Sequence, residues 1–478
     1  FIYAAIVAVG PLLLGELVLI AVYALTELSQ MLLTDRNLIV SIITYGLLGS
    51  LLVNGFFSLV ISRYLSDQIY QKKIDNMLTT YWGSQLSLLV VGGVLYGLFI
   101  LLSIFFGVGL LTGFLAWFLF CELLLSWNAL NFLTVLKDYL EIFRIFLVTV
   151  ATTFVMGGLF LLLGMSAVHA LLSGIIFGYA NFFIQSTILL YKRFPHQLNQ
   201  DHLFDFLVYF DQFFRLAVIG FCTQLGLLGH IVIIWFSPIG HQVKGLFYIA
   251  PYYDLTVFIA SLTMLATTVS FIVYLEVDFF KAYRRYYLSF SHGATLQQLK
   301  KAETAMLTCL GDNLKKTAWV QLLVTLVAIS VGPVILNILP LGFNNTMSGY
   351  FRILCAAYAV YGIANVIALS TLYFGNIKGY YLASIYFAVS TLSATILVLF
   401  FNSLLYGFGF FIGAAVFFIL VWLDLEKISN QLLYHVLGKQ PIFLRERLGF
   451  FTGLAEQLNH KATALMETEH SLKALRKR

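Results

Sequence analysis

Charged side chains are scarce in this chain. Lys, Arg, Asp and Glu together make up 10% of its 478 residues, whereas hydrophobic residues make up 60%. A soluble domain usually carries about 25% charged residues. This composition excludes a large soluble core and predicts a chain that is surrounded mainly by lipid.

Cysteine is also scarce, and the motifs of several enzyme classes are missing. The four cysteines have no paired spacing, so neither a disulfide framework nor a metal site is expected (Cys121, Cys222, Cys309 and Cys355). No G-x-x-x-x-G-K-[ST] phosphate loop, H-E-x-x-H or G-x-S-x-G motif occurs. The gaps between hydrophobic segments are too short for a nucleotide-sugar transferase domain. We therefore predict a protein that is not an enzyme and that uses no cofactor.

Hydrophobic segments of membrane-spanning length follow one another along nearly the whole chain. A helix needs about 20 apolar residues to cross the hydrocarbon layer, and unpaired backbone amides in lipid cost several kcal/mol, so these segments predict helices. We assign about twelve spans, near 1–26, 38–62, 84–107, 109–133, 145–164, 166–190, 213–236, 254–275, 317–339, 351–374, 380–401 and 405–423. The first begins at Phe1 without a Met or a basic flank, so we expect further residues before it.

Lys and Arg are concentrated in every second gap between these spans. The basic gaps are 63–83, 134–144, 191–212, 276–316 and 375–379. The opposite gaps contain only Arg36, Lys244 and Arg352. The positive-inside rule places the basic gaps in the cytoplasm, and an even number of spans then places both termini there. This topology explains the net charge of +6, so no nucleic-acid ligand is expected.

The spans divide into two groups of six. We predict an N-terminal six-helix bundle at 1–190, a cytoplasmic linker at 191–212, and a C-terminal six-helix bundle at 213–424. A cytoplasmic tail is expected at 425–478. The predicted fold is an all-α polytopic membrane protein of the kind that many transporters have, often with internal repeats.

Two stretches are long enough to matter outside the membrane. The insertion 276–316 resembles two amphipathic helices broken at Ser291-His292-Gly293, and its mixture of aromatic and basic residues suits an anionic cytoplasmic interface. The tail has a helical period, which fits three alternatives: contact with the membrane, docking on a partner protein, or a solvated helix.

Ionisable groups inside the spans are functional candidates because a charge at the centre of the bilayer is costly. Glu16 follows Pro11, and helices broken by proline often line cavities. Glu122 lies on the fourth span. The alternative for each is a protonated or hydrogen-bonded carboxyl packed between helices.

Amides form a second set of candidates for a transport path. They are Asn54, Asn128, Asn131, Asn181, Gln185 and Gln224. Asn128 and Asn131 are three residues apart, so they share one helix face. Such amides commonly hold transmembrane helices together, which is the alternative for each of them. As a group they suit a neutral cargo rich in hydroxyl and amide groups.

A third set of candidates lies in the basic gaps and predicts a surface that contacts the membrane or a cytosolic partner. The set consists of Arg63, Asp67, Lys72, Glu276, Asp278, Lys281, Arg284 and Arg285. Glu276 and Asp278 are the acidic pair of note, and an interfacial salt bridge is favoured over a metal site for them.

Several stretches resemble the PelG family of exopolysaccharide transporters, which are related to flippases of the multidrug/oligosaccharidyl-lipid/polysaccharide superfamily. They occur in the family's order: "VGPLLL" at 9–14, "SRYLSDQIYQKK" at 62–73, "SWNALNFLTVLKDYLEI" at 126–142 and "YLEVDFFKAYRRYYLSFSHGATLQQLKKAETAM" at 274–306. Gln321 and Tyr373-Phe374 also fit. The chain also departs from the family in three places. Leu12 replaces an expected Trp, and Gly375 and Asn376 stand where an acidic residue is expected. The tail is longer than the family needs.

The resemblance implies export of an N-acetylated, partly deacetylated hexosamine polymer across the bacterial cytoplasmic membrane. It also implies that the chain works beside a cytosolic glycosyltransferase and other Pel inner-membrane proteins. Two alternatives remain open. One is a drug/cation antiporter of the same superfamily that depends on Glu16 or Glu122, and the other is a non-transporting scaffold for a polysaccharide synthase.

Overall fold

The computed structural model describes residues 32–136, 138–195, 202–274, 278–291, 293–338, 343–438 and 449–476. Nearly all regular structure in these ranges is helical. Eleven helical segments in this part of the chain are long and apolar enough to cross a membrane. The predicted fold class, an all-α polytopic membrane protein, is confirmed. The first predicted span, 1–26, and its candidate Glu16 lie outside the described residues.

The helices before the midpoint of the chain match the predicted spans, but most are longer. They are α1 (Leu33–Tyr70), α2 (Met77–Phe105), α3 (Leu110–Leu136), α4 (Tyr139–Leu162), α5 (Ala167–Arg193) and α6 (Val208–Trp235). A 3-10 turn, Asp205–Leu207, precedes α6. Gly107 follows α2 with a φ of +101°, a backbone conformation that side chains with a Cβ rarely adopt.

The second half contains one short sheet, which the hydropathy pattern does not predict. Strands β1 (His241–Lys244) and β2 (Phe247–Ile249) form it. The helices that follow are α7 (Pro251–Ser261), α8 (Leu265–Tyr274), α9 (Phe280–Ser291), α10 (Leu296–Ile338), α11 (Asn345–Tyr373), α12 (Ile377–Leu399), α13 (Phe408–Asn430), α14 (Leu432–Gly438) and α15 (Phe450–Arg476).

Three of the predicted or observed helical segments depart from regular helical geometry. The predicted span 254–275 is interrupted by a 3-10 turn at Leu262–Met264. Helix α6 is kinked at Phe213, whose φ of −123° and ψ of 32° are not helical. The insertion 276–316 is broken near Gly293, as predicted, and Gly293 has a φ of +66°. Its second half is continuous with the next span, because α10 contains both.

The described residues divide into two compact units. The first contains 32–221, 243–247 and 449–476, and the second contains 222–242 and 248–438. No domain boundary is inferred from this division, so the predicted limits of the bundles, linker and tail remain predictions.

In the first unit, α3 is the central helix. It packs against α1, α2 and α5, and α4 packs against α5. The contact between α4 and α5 depends on small residues. A Cβ on Gly174 would lie 2.6 Å from the backbone of Gly157, and one on Gly178 would overlap the side chain of Thr153. Close approach through small residues is the usual way in which helices associate in lipid.

In the second unit, α11 is the central helix. It packs against α7, α10 and α13, and α12 packs against α13. A Cβ on Gly409 would overlap Thr395, and one on Gly413 would overlap Thr391. In each unit, two glycines four residues apart therefore let the last two helices of the transmembrane series approach closely, against Gly157 and Thr153 in the first unit and against Thr395 and Thr391 in the second. This likeness supports the repeat that the number of spans suggests.

The loops of the first unit lie at two distinct ends. Arg193, at the end of α5, forms an ion pair with Asp138 before α4. At the same end, the Leu203 carbonyl lies against Gly83 of α2. At the other end, the Tyr45 hydroxyl donates to the Leu246 carbonyl at 3.3 Å. The basic loops predicted to be cytoplasmic thus share one end of this unit.

Candidate functional site

Two predicted amides of the first unit meet between α1 and α3. Asn131 Nδ2 donates to Asn54 Oδ1 at 3.3 Å, and Ser58 Oγ donates to Asn131 Oδ1 at 2.9 Å. Asn54 and Ser58 are four residues apart, so they lie on one face of α1. All three side chains are half-buried. The structure therefore joins two of the predicted candidates in a neutral polar cluster and adds Ser58.

Asn128, one turn before Asn131 on α3, faces α2. Its Nδ2 donates to Ser84 Oγ at 2.8 Å, and the residue is completely buried. Its Oδ1 has no hydrogen-bond partner among the described residues. Gln85, beside Ser84, donates through Nε2 to the Leu125 carbonyl at 3.1 Å, while its own Oε1 has no such partner. A buried acceptor without a partner is costly, so each of these two oxygens keeps an unused capacity for a hydrogen bond.

Glu122 lies further along α3 and is 9% exposed. Its Oε2 and the nearby Ser126 Oγ have no hydrogen-bond partner among the described residues. An intramembrane carboxyl is a functional candidate by default. The geometry places Glu122 on the helix that carries Asn128 and Asn131, but gives it no contact with either.

The two predicted amides of α5 contact each other. Gln185 Nε2 donates to Asn181 Oδ1 at 3.0 Å, and Asn181 Nδ2 has no partner among the described residues. Among the described residues, no hydrogen bond joins this pair to Asn54, Asn128 or Asn131. The sixth predicted amide, Gln224, is half-buried in the second unit.

The interior of the second unit contains two polar groups of residues that the sequence did not predict as sites. Gln321 accepts a hydrogen bond from Thr267 Oγ1, and its Nε2 donates to Thr325 Oγ1 at 3.0 Å. His230 Nδ1 lies 2.8 Å from the Tyr253 hydroxyl, and the His230 ring stacks on Phe410. The two groups contain amide, hydroxyl, imidazole and aromatic side chains and no carboxylate, lysine or arginine.

Two carboxylates of the second unit were also missed. Asp254 accepts from the Trp235 indole at 3.0 Å and from the Ala250 amide at 3.0 Å. Its position three residues after Pro251 is a helix-start signal that could have revealed it. Asp424 accepts from Asn376 Nδ2 at 2.8 Å. Asn376 stands where an acidic residue was expected, and it binds this carboxylate from α13.

The predicted surface residues are divided between the two units. In the first unit, Arg63 pairs with Asp67 at 3.2 Å and lies over the Phe213 ring, and Lys72 is exposed. Asp278, Lys281, Arg284 and Arg285 belong to the second unit, where all four are exposed. Glu276 lies outside the described residues. A single partner surface made from all of them remains a prediction.

The described part of the tail docks on its own chain, which none of the three sequence-based alternatives proposed. Asp211 accepts from the Thr452 amide at 2.7 Å, and Asn459 Nδ2 donates to Asp205 Oδ1 at 2.9 Å. The Phe451 ring lies 5.3 Å from that of Phe210. A charged cap and an aromatic contact therefore hold α15 on the first unit.

Comparison with known proteins identifies the family. The model of the PelG family, described as "Putative exopolysaccharide Exporter (EPS-E)", matches residues 1–437. The chain belongs to the PelG family. The resemblance seen in the sequence is thus confirmed, and α15 lies beyond the matched region. None of the curated proteins matches the chain.

Solved structures similar to this PelG-family protein are transporters. The eukaryotic MATE transporter AtDTX14 aligns with a TM-score of 0.60 at 12% identity, covering 96% of this chain and 97% of its own. An inward-facing multidrug resistance MATE family transporter of the MOP superfamily aligns with a TM-score of 0.56 at 11% identity, covering 90% and 98%. At these identities the likeness establishes the fold, and fold and family together make the chain a membrane transporter.

Proposed function

We propose that this protein exports a Pel-like polymer of N-acetylated, partly deacetylated hexosamines across the bacterial cytoplasmic membrane. The observation that supports this cargo is the neutral polar interior of the first unit. Asn54, Asn128, Asn131 and their hydroxyl partners offer amide and hydroxyl groups, and Glu122 is the buried carboxyl among the described residues there.

The chemistry of the cargo fits this lining. If deacetylation follows export, the polymer is neutral while it crosses, and hydrogen bonds to its hydroxyl and acetamido groups determine how it is held. The half-buried side chains of Asn54, Ser58 and Asn131 can make those bonds. The buried acceptors Asn128 Oδ1 and Gln85 Oε1, which have no partner in the described structure, can receive them in a conformation that opens this part of the interior. Because the interior is weakly charged, it neither requires nor favours a cationic cargo.

A partner enzyme is part of the proposal. The described residues are almost entirely transmembrane and amphipathic helices, so we propose that a cytosolic glycosyltransferase supplies the growing chain, with other Pel inner-membrane proteins beside it. The exposed basic residues Lys281, Arg284 and Arg285 are the proposed contact on the second unit.

The test is polymer secretion by cells that carry Asn128→Leu with Asn131→Leu. Both changes preserve approximate volume and remove hydrogen-bonding groups from the interior. We expect secretion to fall at least about tenfold, because two buried polar contacts at about 1 kcal/mol or more each are lost. Ser393→Leu removes an exposed hydroxyl from α12 and is the control. Normal secretion by the double variant at a normal protein level would refute a transport role for this cluster.

The second candidate function is a drug/cation antiporter. It is favoured by one observation, the Glu122 carboxyl whose Oε2 has no hydrogen-bond partner among the described residues. Coupling to protons or sodium requires such a carboxyl, whereas polymer export by hydrogen bonding does not. Substitution of Glu122 therefore distinguishes the two functions.

A further inference from the structure

A cavity of about 630 Å³ lies beside α9, on the insertion of the second unit. It is lined by Lys281, Arg284, Arg285, Leu288, Ser289, Gly293, Ala294 and Gln298. Three of these side chains are cationic and none is acidic. The volume falls in the range of about 300–1,000 Å³ that small-molecule sites occupy. The cavity is separate from the polar interior of the first unit.

The helical repeat of the sequence produces this basic wall. Lys281, Arg284, Arg285 and Leu288 follow the i, i+3, i+4, i+7 pattern and share one face of α9. A second face carries aromatic residues, among which Tyr286 is completely buried. Helix α10 packs against α9 and buries Met306. The aromatic face is thus used for packing, which leaves the basic face directed away from the protein core.

The turn between α9 and α10 forms the opposite wall. The Ala294 amide donates to the Ser289 carbonyl at 3.1 Å. Thr295 and Gln298 form a reciprocal cap, because the Thr295 amide donates to Gln298 Oε1 at 2.9 Å and the Gln298 amide donates to Thr295 Oγ1 at 3.4 Å. The start of α10 is therefore satisfied by its own side chains, so the cations and the Gln298 Nε2 group are what the cavity offers to a ligand.

The charge of the cavity is not balanced within the described structure. The ion pairs among the described residues involve other cations, and none of them includes Lys281, Arg284 or Arg285. Guanidinium groups bind phosphate through two parallel hydrogen bonds, and an ammonium adds a point charge. We propose that this cavity is a binding site for a soluble phosphorylated ligand of nucleotide size, with its phosphates on the three cations and its apolar part against Leu288.

The Gln298 end of the cavity favours a soluble ligand over a lipid headgroup. Asn313 of α10 donates through Nδ2 to the carbonyl of Tyr274, the last residue of the preceding span, at 3.3 Å. Gln298 lies about 22 Å from Asn313 along the same helix. The headgroup layer is only about 5–8 Å thick on each side, and spanning helices tilt by about 20° on average. The Gln298 end of the cavity consequently lies beyond the reach of phospholipid headgroups, whereas Arg284 follows Tyr283, whose hydroxyl donates to the carbonyl of Tyr373 at the end of another span.

The experiment is isothermal titration of the purified full-length protein in detergent with pyrophosphate and with uridine diphosphate. We expect both to bind the unaltered protein. In the Arg284→Gln, Arg285→Gln variant we expect affinity to fall about tenfold or more. The control variant Lys300→Gln, Lys301→Gln carries the same change of charge on the same hairpin, and both lysines are exposed outside the cavity. It should bind as the unaltered protein does.

A second arm separates soluble ligands from lipids. Binding to vesicles of neutral phosphatidylcholine is compared with binding to vesicles that contain anionic phosphatidylglycerol, with the protein held in nanodiscs. Absence of titratable binding, equal weakening in the two double variants, or arginine-dependent binding that only the anionic vesicles show would each overturn the proposal. The same three cations are the proposed contact with the glycosyltransferase, so a bound ligand would compete with that enzyme for them. Because the readout is binding to the isolated protein rather than secretion, its failure leaves the proposed export function untouched.

Discussion

The Asp211 carboxylate holds the first turn of the C-terminal helix through Thr452. Its Oδ2 accepts from the Thr452 amide at 2.7 Å and from the Thr452 hydroxyl at 2.8 Å, and the Phe451 amide donates to Oδ1 at 3.3 Å. A carboxylate at a helix N-terminus satisfies amides that otherwise have no partner and complements the helix dipole. Asp211 also lies two residues before the kink of α6 at Phe213.

Neutralising this cap should release α15. In Asp211→Asn, one charged acceptor is lost at a cost of about 1 kcal/mol, so we expect trypsin to cleave at Lys461 about fivefold faster. Limited proteolysis of the purified protein measures this directly. Asp75→Asn, an exposed acid before α2, is the control and should leave the rate unchanged. Equal cleavage rates in the two variants would contradict the role of Asp211.

Removing one buried hydroxyl from the insertion should stabilise it. Tyr286 is completely buried, and its hydroxyl has no hydrogen-bond partner in the described part of the chain. Tyr286→Phe keeps the ring and removes the unsatisfied group. We therefore expect the free energy of local opening of α9 to rise by about 1 kcal/mol, measured by amide hydrogen exchange at 280–291. Tyr283→Phe should do the opposite, because the Tyr283 hydroxyl donates to the Tyr373 carbonyl. Destabilisation by Tyr286→Phe would show that the hydroxyl is satisfied.

The burial of Tyr286 also predicts a loss of stability at alkaline pH. Burial raises the pKa of Tyr286 to about 12, above its value of about 10 in an unfolded chain. Ionisation of this hydroxyl therefore costs no stability below pH 10, and it lowers the stability of the folded state progressively as the pH rises from 10 through 12. The unfolding temperature should therefore fall more steeply between pH 10 and pH 12 for the unaltered protein than for Tyr286→Phe. Parallel pH profiles would contradict this assignment.

Much of the fold could be predicted because lipid imposes strict requirements. Long apolar segments must become helices, and the basic loops had to alternate, so the class and all eleven described spans followed from hydropathy. The short sheet at 241–249 and the turn at Leu262–Met264 could not be predicted. Both depend on local backbone hydrogen bonds that leave no periodic pattern of hydrophobicity.

The candidate site was only partly predictable. Spacing placed Asn128 and Asn131 on one face, and the structure shows that they bond to different helices, through Ser84 and through Asn54. Pairing across helices depends on rotation and depth, which a single sequence does not encode. The bond from Asp211 to the tail was invisible for the same reason, because its partners are about 240 residues apart.

Substitution of Glu122 should separate the two transport functions. If the cargo is a neutral polymer, Glu122→Gln keeps shape and hydrogen bonding, and polymer secretion should stay within about twofold of normal. A comparison with drug efflux by the same cells gives the second readout. Loss of ion-driven efflux in Glu122→Gln would show that this carboxyl couples transport to an ion and would favour the antiporter, and a fall in polymer secretion beyond twofold would contradict export by hydrogen bonding alone.

The predicted sidedness can be tested with single cysteines in a background that lacks the four native ones. Arg284→Cys should react with a membrane-impermeant maleimide only after cells are permeabilised, because basic loops face the cytoplasm. Lys244→Cys, on the sheet in an opposite gap, is the matched position and should react in intact cells. Labelling of Arg284→Cys from outside intact cells would invert the topology.

The most direct test is photo-crosslinking during polymer synthesis. A photoreactive amino acid replaces Ser58, which lies beside Asn131 in the polar cluster, or Leu101, which is 65% exposed on α2. If the neutral interior of the first unit carries the polymer, hexosamine-containing adducts form at position 58 and not at position 101. Adducts at neither position in actively secreting cells, or at position 101 alone, would contradict it.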